Sequence, residues 1–179
     1  MQSLLCPSRS FASFAVKGFG WTPMHDFILA RVLHVLGVVL WIGGVAFVTL
    51  VLLPAAARHP DPAQGIAAFE QSERRFSLHA KAWTLLTGLS GFYITWRFDL
   101  WSRFAEMHFW WMHAMVVIWA IFMLVLFVLE PLFLHRWFSE RARRDPARAL
   151  RLVSRLHWVL LIASLVTVAG AVAGSHGGL

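Results

Sequence analysis

The chain has a single cysteine, Cys6, among 179 residues, so it cannot be a small domain stapled by disulfides. It is short of charge as well: Asp, Glu, Lys and Arg make up 14%, where a soluble globular domain carries about 25%. No Cys-x-x-Cys pair, phosphate-binding glycine loop or Ser-His-Asp arrangement occurs, which leaves hydrolase and nucleotide chemistry without support. No internal repeat, low-complexity tract or second domain is visible. Ten-residue segments of alternating polarity are missing, which excludes a membrane β-barrel.

What the chain does have is apolar residues, at 59% of the total, with a mean hydropathy of +0.65. Four stretches, at about 27–53, 77–96, 109–134 and 153–173, meet the roughly 18–20 residues a helix needs to cross a bilayer. The first is expected to stop at Pro54, and the second is interrupted by His79 and Lys81. Backbone groups in lipid must bond internally, so these spans are expected to be helices. The links between them read as a loop over 55–76, with a His59-Pro60-Asp61-Pro62 stop and an amphipathic 64–75 stretch, a short turn over 97–108, and a densely basic segment over 135–152. Short links predict an all-α, up-and-down four-helix bundle. Residues 1–23 read either as disordered or as sequence upstream of a true start at Met24, with no clean signal-peptide cleavage site.

The formal charge of +7 decides orientation. Arg58, Arg74, Arg75, Lys81, Arg136, Arg141, Arg143, Arg144, Arg148, Arg151 and Arg155 belong to the first and third links and their helix ends. Arg9, Lys17, Arg31, Arg97 and Arg103 lie on the other side. This imbalance puts both termini on the periplasmic side of a bacterial inner membrane. Trp96, Trp101, Trp110 and Trp111 would mark the outer interface, and Trp137 and Trp158 the inner one. The basic third link suits anionic lipid rather than nucleic acid, because aromatics are not interleaved with its arginines.

Nine histidines in so apolar a chain need an explanation. Each expected span carries one near its start: His34, His79, His113 and His157. Because successive spans run in opposite directions, His34 and His113 fall toward the outer face, and His79 and His157 toward the inner face. Two histidines at one depth on different helices are what a bis-imidazole haem requires. The levels are about 14 residues, or about 21 Å, apart, which leaves room for one or two haems. Gly37, Trp41 and Gly44 share the His34 face, where small residues suit either a flat macrocycle or close helix packing. A histidine near a helix end also has an interfacial reading, in contact with headgroups and water.

Lys81 and Glu130 lie just inside the inner interface and are expected to pair. With His79 and His135 they could instead deliver protons to an inner site. Met24-His25, Met107-His108 and Met112-His113 cluster toward the outer face. His108 and Met112, four apart on one helical face with Met115 beyond, offer the thioether and imidazole donors that suit copper.

The string Leu33-His34-Val35-Leu36-Gly37-Val38-Val39-Leu40-Trp41-Ile42-Gly43-Gly44 resembles the first span of the CopD and HemJ-like membrane protein families. Trp111-Met112-His113-Ala114-Met115 resembles the Trp-x-His-x-Lys segment of HemJ proteins, with Met115 at the lysine position. The resemblance implies a haem-bearing bundle with His34 as a ligand and His113 as its partner. It also implies either protoporphyrinogen IX oxidation, as in HemJ proteins, or copper handling, as in CopD proteins. Met115 weighs against the oxidase. The expectation is a b-type cytochrome passing electrons to or from a quinone or a periplasmic redox protein, alone, as a homo-oligomer or as a subunit of a complex. The oxidase and a copper transporter or copper-binding protein are the alternatives.

Overall fold

A computed structural model describes residues 23–176, and among them the chain is helical throughout, without strands. The expectation for residues 1–23 lies outside the described residues, apart from Pro23 itself.

The first helix, α1 (Pro23–Phe47), passes without a break through a π-helical stretch, Val48–Leu52, into α2 (Leu53–Ala57). The helix therefore does not stop at Pro54. Proline removes one backbone donor and crowds the preceding turn, and the wider π turn just before it absorbs that mismatch. The Thr49 hydroxyl bonds the Val45 carbonyl there, at 2.7 Å.

The next helix, α3 (Pro62–Arg97), is 36 residues long. Asp61 caps it, its carboxylate accepting from the amides of Ala63 at 2.9 Å and Gln64 at 3.5 Å. Pro62 occupies the first turn, where a missing N–H costs nothing. The amphipathic 64–75 stretch, expected within a loop, is thus the first third of this helix. A turn at Asp99, in the left-handed region with φ 48°, leads into two 3₁₀ segments, Leu100–Ala105 and Met107–Phe109. Then come α4 (Trp110–Met123), a π-helical stretch Leu124–Leu134 containing Pro131, and α5 (His135–Arg144). Asp145 caps α6 (Pro146–Ser175) by accepting from the Arg148 amide at 2.9 Å. The basic 135–152 segment is consequently helical on both sides of one Asp-Pro break.

Helix α1 packs chiefly on α3, and α4 chiefly on α6, while α6 also reaches α1 and α3. Gly37 lies against Thr87 and Gly44 against Phe76, which fixes α1 and α3 as antiparallel neighbours. Two apolar clusters hold the helices together. One gathers Val48, Leu53, Ala56, Ile66, Phe69, Phe138, Ala142, Ala149 and Leu150, with the Phe69 and Phe138 rings 6.0 Å apart. The other centres on Trp41, Ile42, Val45, Phe122 and Leu161.

Three segments are long and apolar enough to cross a membrane: Met24–Ala57, Met107–Leu132 and Pro146–Ser175, with mean hydropathies of 2.6, 2.7 and 2.1. Their apolar outer surfaces identify a membrane protein. Helix α3 is less apolar, and its polarity is turned inward. Ser77, Thr84, Thr87 and Ser90 are buried, while Leu78, Leu85, Leu89, Phe92 and Trp96 are exposed.

Candidate functional site

Helix α1 carries His34 half-buried against α3. A carbonyl oxygen can only accept, so the 2.9 Å bond from Nδ1 to the Thr87 carbonyl fixes the proton on Nδ1. The Ser90 hydroxyl lies 3.3 Å from the same nitrogen. Nε2 is left with its lone pair, the state required of a metal-ligating imidazole whose other nitrogen is held by a carbonyl. The ring rests on Gly91, where a Cβ would fall 2.9 Å from His34 Cε1. A glycine at that position is what admits the imidazole between the two helices.

His113, on α4, is also half-buried. Its Nε2 donates to the Phe104 carbonyl at 3.0 Å, and its Nδ1 lies 3.4 Å from the Phe109 carbonyl. Both ring nitrogens thus face carbonyl oxygens, and a nitrogen must leave its carbonyl before it can ligate a metal. Phe104 meets the ring edge-on, with centroids 5.5 Å apart. The Trp119 indole donates to the Thr84 carbonyl at 3.0 Å and lies against Gly88, so α4 runs beside α3 in fixed register. Counting back along α4 brings His113 level with about Ile94, close to the Gly91 level of His34. Helices α1 and α4 meet further along, where the Trp41 and Phe122 rings lie 4.8 Å apart.

His79 and His157, the second expected pair, differ from each other. His157 is half-buried on α6, with Nδ1 bonded to the Val153 carbonyl at 3.0 Å. His79 is exposed, with Nδ1 bonded to the Arg75 carbonyl at 3.0 Å, and it lies off the buried Ser77–Thr84 face of α3. The structure does not bring this pair together. His108 is exposed, edge-on to Phe109 and Trp111, and Met112 is half-buried. Among the described residues no three His, Cys, Asp or Glu side chains gather as a metal cage; a bis-imidazole haem needs only two ligands.

At the other end of α3, the expected Lys81–Glu130 pair is present at 3.2 Å, with side chains 25% and 26% exposed. The Ser77 hydroxyl lies 2.6 and 2.7 Å from the two Glu130 oxygens and donates to the carboxylate. Glu130 is held in the π-helical stretch immediately before Pro131, so two irregular features meet at this carboxylate. One turn before Ser77, burial pushes the Glu73 carboxyl up from 4.5 to about 7. The negative charges of Glu130 and Glu70 add to that rise, and Lys81 opposes it. The side chain of His135 lies outside the described residues.

Sequence reasoning found His34 but not its partners Thr87 and Ser90, and it found Glu130 but not Ser77 or Glu73. Small polar residues in an apolar helix read equally well as packing. The usable signal is their spacing, since Ser77, Thr84, Thr87 and Gly91 recur on one face at helical period.

Models of known protein families, curated proteins and solved structures offer no match to this chain.

Proposed function

We propose that this chain is a four-span protein of the bacterial cytoplasmic membrane that binds haem b and passes electrons within or across that membrane. Its electron partner in this reading is a quinone or a periplasmic redox protein. The observation that carries the reading is His34, an imidazole between apolar helices with Nδ1–H committed to the Thr87 carbonyl and Nε2 left as a lone pair.

The second half of α3 is the fourth span. Its exposed side chains, Leu78, Leu85, Leu89, Phe92 and Trp96, suit lipid, and its hydroxyls are turned to the neighbouring helices. The basic 135–155 region faces the cytoplasm, and both termini face the periplasm.

His34 fits one face of a haem, and His113 fits the other by depth, once one of its ring nitrogens is released from the Phe104 or Phe109 carbonyl. The haem would supply a one-electron iron couple. Thr87 and Ser90 orient His34, and Gly91 keeps space for its ring. The proposal is for the haem at this outer level, because His79 on the inner level lies on the exposed face of α3.

A reduced-minus-oxidised spectrum of the purified protein, with pyridine haemochrome quantitation, tests the reading. Haem b is expected, and His34→Ala and His113→Ala are each expected to abolish its reduced absorption. Wild-type spectra from both variants overturn the ligand assignment. Stoichiometric copper with no Soret band overturns the haem. Rescue of porphyrin synthesis in a strain lacking its own oxidase would make the protein a HemJ-type enzyme instead.

A further inference from the structure

The middle of the helical assembly holds hydrogen-bonding groups that the haem reading does not use. Trp41 is 4% exposed, yet its indole Nε1 has no hydrogen-bond partner among the described residues. A buried polar group without a partner is rare and costly, and it points to an acceptor that occupies the site. The ring itself is firmly held. It meets Phe122 at 4.8 Å between centroids and 89° between planes, and it packs in a cluster with Leu161, Trp83 and Trp119.

Two acceptors lie at the same level. Gly37 meets Thr87 and Gly44 meets Phe76, so Trp41, between them on α1, falls opposite the Ala80–Thr84 turn of α3. Thr84 is fully buried, and Ser164, one turn beyond Leu161 on α6, is 2% exposed. Each hydroxyl spends its proton on its own helix, Thr84 on the Ala80 carbonyl and Ser164 on the Leu160 carbonyl, both at 2.7 Å. Their oxygen lone pairs remain open. The level thus offers one unused donor from α1 and two hydroxyl oxygens from α3 and α6.

We propose that this middle layer binds one internal water, which accepts from the Trp41 indole and donates to the hydroxyl oxygens of Thr84 and Ser164. Three bonds is the usual complement of a buried water. Such a water ties α1, α3 and α6 together at one depth and fixes their register. It needs neither the haem nor the sidedness proposed above, so its test is independent of theirs.

The test is NMR of the full chain carrying ¹⁵N-labelled tryptophan indoles in a bilayer disc. The Trp41 resonance is assigned by its loss in Trp41→Phe. A magnetisation-transfer cross-peak from water to the Trp41 indole proton is expected, with Trp119, bonded to the Thr84 carbonyl, as the protected internal reference. Trp41→Phe removes the donor together with the pyrrole ring, so it loses packing as well as any bond to the water, and it is expected to lower Tm by several degrees. Thr84→Val and Ser164→Ala are each expected to shift the Trp41 resonance. Should Trp41→Phe not accumulate, the resonance that both of those variants move identifies it. No water cross-peak at Trp41 overturns the proposal. So does a Trp41→Phe variant at least as stable as wild type, because deleting a donor that bonds nothing relieves a burial cost.

Discussion

Replacing Glu73 with glutamine tests the electrostatics of the first half of α3 most directly. The folded protein holds this carboxyl at about 7, against 4.5 for the free side chain, because burial and two nearby carboxylates disfavour its charge. A displaced titration is a statement about stability. Between pH 4.5 and about 7 the folded state binds more protons at this position than the unfolded state does. The favourable contribution is therefore complete below pH 4.5, falls as pH rises, and is gone above about 7. The full displacement corresponds to about 3 kcal/mol. Glu73 keeps part of its surface in water, so screening reduces the expected effect to about 1–2 kcal/mol. For a chain of this size that is roughly 2–8 °C in Tm. Thermal unfolding of wild type and Glu73→Gln in one detergent, followed by tryptophan fluorescence from pH 4 to 8.5, measures it. The variant is expected to gain on wild type as pH rises and to level off above about pH 7.5. Contributions common to both proteins cancel in the difference between the two curves. A flat difference curve, or one that favours wild type at high pH, refutes the reasoning.

The Lys81–Glu130 pair is about a quarter exposed on each side, between a surface pair and a fully buried one. Lys81→Met and Glu130→Gln are each expected to destabilise by about 1–3 kcal/mol, because each removes one charge from a half-buried pair and strands the other. The double variant is expected to lose less than the sum, and a double-mutant cycle on thermal unfolding reads the coupling. Gly91→Val sets a side chain against the His34 ring and is expected to displace it. In the haem-binding reading its absorption falls with that of His34→Ala; Gly43→Ala, where a Cβ meets nothing within 4 Å, serves as the unaffected control. Asp61→Ala removes the acceptor for the Ala63 and Gln64 amides at the start of α3. It is expected to cost about 1 kcal/mol in the same unfolding assay.

How much of this was legible in the sequence depends on which physical signal each feature rests on. Apolar runs are long-range and redundant, so the helical, membrane character of Phe27–Leu53 and Phe109–Leu134 could be read from composition alone. Breaks rest on single residues and were read less well. Pro54 looks like a stop, yet the π-helical stretch before it carries the helix on to Ala57. Pro62 and Pro146 look similar, but each follows an aspartate that caps a new helix, so the Asp-Pro pair, not the proline, marks the break. The Lys81–Glu130 pair was legible because two opposite charges in apolar surroundings have few other solutions. Ser77, which completes it, was not, since a serine in a helix can satisfy itself on its own backbone. The orphaned indole of Trp41 had no sequence signal of its own, because a tryptophan in an apolar run reads as core and nothing local says whether its N–H finds a partner.

Helix α3 ties these observations together. Its hydropathy is too low to mark it as a membrane-crossing helix beside the other three segments, and the reason lies in what it does for them. Ser77 and Lys81 meet Glu130, Thr84 accepts the Trp119 indole on its carbonyl, and Thr87 and Ser90 hold His34. Each of these contacts reaches a different turn of a neighbouring helix, and together they cover most of the length from Ser77 to Ser90. In water such a stripe would face solvent and the leucines would face inward. Here Leu78, Leu85 and Leu89 are the exposed residues and the hydroxyls are the buried ones. That inversion favours lipid as the surrounding medium, since between Ser77 and Trp96 the exposed side chains are apolar except for His79. The polarity that lowers the hydropathy of α3 is thus the same polarity that positions His34, and a helix made more apolar at Thr87 or Ser90 would cross a membrane more readily and hold that imidazole less well.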